Sequence, residues 1–358
     1  MSGPAASVAG AGGTEWLSPD DPRLSWDGVA QAEWSKEGWL PRRIPRDRLA
    51  TTLSPNFARL AAMPAGIRCG VRTDAEELVL RLIGEAGSAP VDIRVDGVLV
   101  RRAEVAGERE ITVALTPAAG AAPSANGADS ALRAVEVWLP NLGFVLVAKI
   151  GFRGHGTLLS AQRPGPRWVT YGSSLTHSMF AAGPSETWTA LVAAGQGWRL
   201  HNLGFAGEAH LDPLVARTIR NLPADLISLE LGINVYTRDT FSARSWAPAV
   251  CGFIDTIRDG HPDVPIAVIT PLSSPDRERA ANNVGLTLEQ VRAYTAEAVR
   301  VLEGLGDKNL CTVDGLSVVP VSEAAEVFAD GLHPTAAGEH VLADRIGSAL
   351  RKALLSPV

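Results

Sequence analysis

The sequence predicts an all-β sandwich followed by an α/β domain on a parallel sheet. Three observations predict it: short near-alternating segments up to residue 151, Pro/Gly punctuation at 163–166, and strands alternating with helical stretches beyond it. With 358 residues, 46% of them hydrophobic, the chain is long enough for two cores, because single cores stop growing near ~250 residues.

The first half reads as strands at Val71 to Thr73, Leu78 to Ile83, Val91 to Val95, Val98 to Val105, Glu110 to Leu115, Leu132 to Leu139 and Phe144 to Ile150. Turn residues separate them at the spacing of a β-sandwich, and Asp96-Gly97 between Val95 and Val98 is a hairpin signal. The run PAAGAAPSANGADS, Pro117 to Ser130, is expected to be a long exposed loop. In the second half, strands are expected at Trp168 to Tyr171, Arg199 to Leu203, Leu226 to Leu231, Val264 to Ile269 and Leu310 to Val313, with a helix over Leu286 to Leu305. Ligands of such sheets sit beyond the carboxyl ends of the strands, so chemistry is expected just after these segments.

Composition narrows the function. A net charge of −6 and scattered arginines leave no basic surface for nucleic acid. Cys69, Cys251 and Cys311 are widely spaced and suggest neither a disulfide framework nor a zinc site. Met1 to Gly13 has neither a basic n-region nor an apolar h-region and reads as a disordered tail, and no apolar run reaches the ~18 residues of a membrane span. A cytoplasmic location without a membrane partner is therefore expected. The histidines are dispersed and phosphate-binding glycine motifs are absent, so neither a metal nor a cofactor is expected.

Four strand ends or loops carry candidate chemistry. Tyr171-Gly172-Ser173-Ser174-Leu175-Thr176 puts Ser174 on a strand-to-helix turn, and Thr176 stands where an α/β-hydrolase elbow would need its second glycine. Asn202-Leu203-Gly204-Phe205-Ala206-Gly207 and Glu230-Leu231-Gly232-Ile233-Asn234 end the next two strands. Backbone N–H groups of Ser174 and Gly207 and the Asn234 amide are candidate donors to the oxyanion that acyl transfer builds. In Asp330-Gly331-Leu332-His333-Pro334-Thr335, an aspartate three residues before a histidine can hold the imidazole in the tautomer a general base needs. Singly these are an N-cap or turn serine, a C-cap glycine, a turn asparagine and a helix-start histidine. His177, three residues after Ser174, is a weaker candidate for the pocket wall.

Taken together, Ser174, Gly207, Asn234, Asp330 and His333 occur in the order of the SGNH (GDSL-like) serine hydrolases and acyltransferases, and the tail DGLHPTAAGEHVLADRI closely resembles that family's terminal block. The resemblance implies a flavodoxin-like three-layer domain over roughly Pro166 to Leu355. It also implies Ser174 as nucleophile, His333 and Asp330 as its relay, and Ser174, Gly207 and Asn234 as the oxyanion hole. Ser173 replaces the family's usual aspartate before the nucleophile, and Val235 replaces the one that often follows the asparagine.

The chain accordingly divides into a tail at 1–15, a jelly-roll-like β-sandwich at 16–162 and a catalytic domain at 163–358. A sandwich ahead of an SGNH domain resembles family 2 carbohydrate esterases and acyltransferases that tailor aromatic natural products. The expected activity is hydrolysis or transfer of an acyl group through acyl-Ser174, on a small-molecule or carbohydrate ester or an acyl-thioester. Acyl-CoA is a possible donor if the protein is a transferase. The alternatives are a carbohydrate O-deacetylase with a sugar-binding sandwich and an idle binding module. Trp16, Trp26, Trp34, Trp39 and Trp138 are expected in core and interface packing, with one of the sandwich tryptophans expected over Ser174. Oligomeric state is not legible.

Overall fold

The structure, a computed structural model, describes residues 13–115, 132–161 and 164–355. The expected tail (save Gly13 to Glu15) and the expected loop at Pro117 to Ser130 lie outside the described residues. Strands β1 (Glu15–Leu17), β2 (Ser25–Asp27), β3 (Gln31–Trp34), β4 (Trp39–Arg42), β5 (Arg68–Thr73), β6 (Glu77–Gly84), β7 (Val91–Val95), β8 (Val98–Ala103), β9 (Gly107–Ala114), β10 (Arg133–Trp138), β11 (Val145–Arg153) and β12 (Leu158–Ser160) come first. They form two antiparallel sheets. One runs β3-β4-β11-β6-β9 with β1 on β11, and the other runs β12-β5-β10-β7-β8 with β2 on β5. Inward residues alternate along each strand, so Leu78, Leu80 and Leu82 share one apolar core with Val91, Ile93, Val95, Val135 and Val137. This is the sandwich that the alternation predicts.

The second half supplies β13 (Arg167–Gly172), β14 (Arg199–Gly204), β15 (Leu226–Glu230), β16 (Ile266–Ile269) and β17 (Leu310–Val313), paired in parallel in the order β14-β13-β15-β16-β17. Counted within this sheet the order is 2-1-3-4-5, the flavodoxin-like arrangement, whose switch point lies at the end of its first strand, β13. The helices are α1 (Pro55–Ala61), α2 (Ser174–His177), α3 (Trp188–Gln196), α4 (Pro213–Asn221), α5 (Ile233–Thr237), α6 (Trp246–Arg258), α7 (Leu288–Gly304), α8 (Gly315–Val318), α9 (Ala324–Val327) and α10 (Ala336–Leu355). Val169, Tyr171, Ile227 and Leu229 face α4, α6 and α7, whereas Trp168, Leu200 and Leu226 face α3 and α10. The layers are therefore helix, sheet, helix. The long helix opens at Thr287 with a capping box to Gln290, which is why it starts after the expected Leu286.

Four short strands and α1, between residues 15 and 61, were not expected from the sequence. Strands of three or four residues are too short to show a period. Part of this stretch also crosses to the second half: Ile44, Leu49, Phe57, Leu60 and Met63 share a core with Val215 and Phe205. Arg43, fully buried, anchors the crossing by donating to the carbonyls of Leu60, Met63, Asn202 and Gly204. Its guanidinium lies 5.0 Å from the Phe205 ring centroid, and burial lowers its pKa to about 9. Trp138 is buried against the second half as well, in one cluster with Trp168, Trp188 and Leu175.

Candidate active site

Ser174 is the first residue of α2, directly beyond the end of β13, and is buried. Ser173 caps that helix by accepting from the Leu175 N–H, so the hydroxyl of the next residue is free to project. Gly172 is obligatory here because a Cβ would stand 2.2 Å from Thr176 Oγ1 and 2.6 Å from Glu230 Oε2. The turn is thereby pressed onto β15.

Ser174 Oγ lies 3.0 Å from His333 Nε2, and His333 Nδ1 lies 2.8 Å from Asp330 Oδ2. The loop carrying both partners is closed at its base by Ala329 N–H to His333 O at 2.8 Å and Thr335 N–H to Val327 O at 3.0 Å. Asp330 Oδ1 accepts the backbone N–H groups of His333 and Leu332 at 2.7 and 3.0 Å, which leaves Oδ2 to the ring. Burial pushes the Asp330 carboxyl up, but the hydrogen bonds from His333 and Leu332 outweigh it and hold the pKa at about 2. An ionised Asp330 keeps the proton on Nδ1, so the Nε2 lone pair faces the serine.

The other two candidates lie after the strands that flank β13. Gly207 (φ +73°) is the third residue of a turn closed by Glu208 N–H to Phe205 O at 3.0 Å, a position in which a Cβ is strained. Asn234 sits in α5, with its Oδ1 held by the Ala209 N–H at 3.1 Å, so its Nδ2 protons remain as donors. That bond ties α5, which follows β15, to the loop after β14. Ala206 N–H to His177 Nδ1 at 3.4 Å ties the Gly207 turn to α2. His177 is thus a buried strut and not a pocket wall, and burial together with Arg43 keeps its ring neutral. Among the described residues, the N–H groups of Ser174 and Gly207 donate to no other protein group.

Three features of the site were missed in the sequence. Glu230, fully buried at the end of β15, accepts the Ser173 N–H and hydroxyl, each at 2.7 Å, and the Thr176 hydroxyl at 3.3 Å. Its Oε1 has no partner, and burial pushes its pKa up to about 7 against those hydrogen bonds. Glu339 of α10 repeats the pattern at the other end of α2: Oε2 accepts the Trp188 N–H at 2.8 Å and the Ser178 hydroxyl at 3.2 Å, Oε1 is unpartnered, and burial lifts the pKa to about 7. The signal available for Glu230 was the one charged residue in the run Leu226 to Leu231, whose other members are apolar save Ser228. The third is Phe180, whose ring meets His333 edge to face at 5.3 Å between centroids.

The sandwich reaches α2 through Asn141, whose buried amide donates to the carbonyl of Ser178. Trp138 lies behind Leu175 and is buried, so the expected tryptophan over Ser174 is not this one. Trp26 packs tilted against Trp39 with centroids 4.6 Å apart, as expected of core packing, whereas Trp34 is half exposed. Among the described residues no three His, Cys, Asp or Glu side chains converge as metal ligands, and no helix is long and apolar enough to cross a membrane.

A serine, a histidine and an acid are thus joined in one hydrogen-bonded line at the switch point of a flavodoxin-like sheet. Residues 170–341 match the GDSL-like Lipase/Acylhydrolase family, and residues 24–147 match the SsfX3 N-terminal domain. The chain thus carries a GDSL-like lipase/acylhydrolase domain behind an SsfX3-type N-terminal domain and is an ester-acting enzyme. Among solved structures it is similar to the salicylyl-acyltransferase SsfX3 from a tetracycline biosynthetic pathway, with 28% identity, a TM-score of 0.83 and coverage of 96% of this chain and 97% of that one. A protein of Bacteroides ovatus described as a GDSL-like lipase shares the fold at 19% identity and TM-score 0.75, over 96% and 98% of the two chains. So does a family two carbohydrate esterase from Clostridium thermocellum, at 14% identity and TM-score 0.65, over 93% and 99%. No curated protein sequence matches the chain.

Proposed function

We propose that this enzyme transfers acyl groups through an acyl-Ser174 intermediate, with a small natural-product alcohol as acceptor and an ester or acyl-thioester, acyl-CoA included, as donor. The continuous chain Ser174 Oγ, His333 Nε2, His333 Nδ1, Asp330 Oδ2 carries the reading. His333 takes the serine proton as Oγ attacks the acyl carbon, then returns it to the leaving oxygen or sulfur. The Ser174 and Gly207 N–H groups and the Asn234 amide hold the oxyanion. An alcohol deprotonated by His333 then attacks the acyl-enzyme, and the new ester leaves with Ser174 restored. The choice of transfer rests on the likeness to the salicylyl-acyltransferase across both halves. We divide the chain between a sandwich at 16–162 and a catalytic domain at 163–358.

Ser174→Ala is expected to lower turnover of p-nitrophenyl acetate by about four orders of magnitude, and His333→Ala to be nearly as damaging because such residues act as a unit. Stoichiometric labelling of Ser174 by a fluorophosphonate is expected in the wild type. Unchanged turnover in Ser174→Ala removes the serine from the mechanism. Absence of labelling on folded protein favours the idle binding module.

A further inference from the structure

The relay leaves one neighbour unexplained. Phe180 follows the nucleophile helix by three residues and is 60% exposed, although large aromatic side chains dominate burial elsewhere in this chain. Its position is not slack. The preceding turn is fixed by Ser178, whose carbonyl accepts from Asn141, whose hydroxyl donates to the Leu175 carbonyl at 2.9 Å, and which also bonds Glu339. Met179, between them, packs against the core of the α/β half. An apolar ring is therefore held in solvent, edge to face with His333 at 5.3 Å.

Which part of a substrate would meet that ring follows from the proton transfers. The oxyanion points to the donors at the ends of β13, β14 and β15, whereas the oxygen of the alcohol must lie at His333 Nε2, because the imidazole gives it a proton when it leaves and takes one when it attacks. The group carried by that oxygen consequently passes beside His333, where Phe180 stands.

We infer that Phe180 is a specificity-determining platform for the alcohol component of the ester, and that this alcohol carries an aromatic ring close to its hydroxyl. The inference rests on the proposed serine mechanism and deepens it. A ring laid on Phe180 gains offset or edge-to-face contact and buries the exposed aromatic side chain that meets His333. Phenylalanine supplies no hydrogen bond, so recognition here is of an apolar ring face and not of hydroxyl groups.

The test is a matrix of esters on the purified full chain. Benzyl acetate, ethyl acetate and the acetyl ester of methyl glucoside vary the alcohol, while ethyl butyrate and ethyl benzoate vary the acyl group. Wild type is expected to prefer benzyl over ethyl acetate in kcat/KM. In Phe180→Ala that preference is expected to fall about fivefold to tenfold, the range of one aromatic contact. Phe180→Tyr restores it, the acyl-group ratios stay as in wild type, and the melting temperature is unchanged because the side chain is exposed. Two results overturn the inference: a benzyl-to-ethyl ratio that survives Phe180→Ala, or a wild-type preference for the sugar ester that Phe180→Ala abolishes. If instead Ser174→Ala turned over the whole series as well as wild type, the serine mechanism itself would fall.

Discussion

The two halves of the molecule bury carboxylates in opposite ways. In the sandwich, Asp92 is fully buried and meets Arg102 through both oxygens at 2.7 and 3.0 Å, and Asp27 meets Arg68 at 2.5 Å and Arg199 at 2.9 Å. Beside Ser174, Glu230 and Glu339 are as deeply buried but receive only uncharged backbone N–H and hydroxyl donors, and each keeps one oxygen unpartnered. Two ion pairs and a hydroxyl donor thus fasten the halves together, since Arg199, Glu186 and Ser185 all belong to the second half. Around α2 a different need applies. The proposed acyl chemistry builds negative charge on the oxyanion, and an ionised carboxylate beneath the turn opposes it; burial raises Glu230 and Glu339 to about 7, so below that pH each holds the turn as a neutral acid without that field.

The sharpest way to break this contrast is at Asp92. Asp92→Ala leaves the N–H and hydroxyl of buried Ser185 without an acceptor and takes one carboxylate from Arg102, so a loss of about 3 kcal/mol of unfolding free energy is expected in urea titration. Glu186 retains the other side of Arg102 and limits the damage. A loss below about 1 kcal/mol would mean that this ionic contact is ornamental and that the apolar crossing at Ile44 to Met63, with Arg43 and the Asp27–Arg199 pair, suffices to hold the halves.

At Glu230 the expected effect is smaller in stability and larger in chemistry. Glu230→Ala strips the acceptor from Ser173 and Thr176 and lets the turn shift, which lowers kcat with p-nitrophenyl acetate about 10- to 100-fold. Glu230→Gln offers a neutral carbonyl oxygen to the same donors and is expected to stay within about threefold of wild type. Equal losses in both variants would show that a negative charge is required there.

This difference between the halves also marks what the sequence could disclose. Strands β6 to β11 were legible because inward positions alternate along them, β5 only in part as Val71 to Thr73, and the candidate relay was legible because Asp330 and His333 lie in one loop, with Ser174 at a strand end. Glu230 and Glu339 were not, since their meaning depends on what packs against them: Glu230 meets residues 57 and 54 positions away, and Glu339 residues 151 and 161 away. Arg43 was hidden for the same reason, with acceptors at Asn202 and Gly204. The crossing of residues 44–63 into the second core bears on truncation too. Deleting residues 1 to 160 would strip Phe57, Leu60 and Trp138 from that core, so such a fragment tests folding before it tests acceptor choice.

The smallest expected effect isolates the neutral acid directly. The Glu230 carboxyl has an ordinary pKa of 4.5 and is pushed by burial to about 7 in the folded chain. Between those values the unfolded chain has released the proton and the folded chain has not, so stability falls as pH rises and the loss is complete above 7. His201 works the other way, for burial lowers it from 6.5 to about 4 and stability is lost as pH falls through that window. Glu339, lifted to about 7 as well, adds to the Glu230 slope, so the wild-type curve mixes these contributions. Comparison of Glu230→Gln with wild type removes His201 from the difference. Going from about pH 5 to about pH 7.5, the variant is expected to gain stability relative to wild type by about 1.4 kcal/mol for each unit of the shift that persists. Urea midpoints of the two proteins at both pH values provide the reading. A difference that does not change with pH would show that Glu230 ionises in the folded chain as readily as in the unfolded one, and the contrast with Asp92 would reduce to the presence or absence of an arginine.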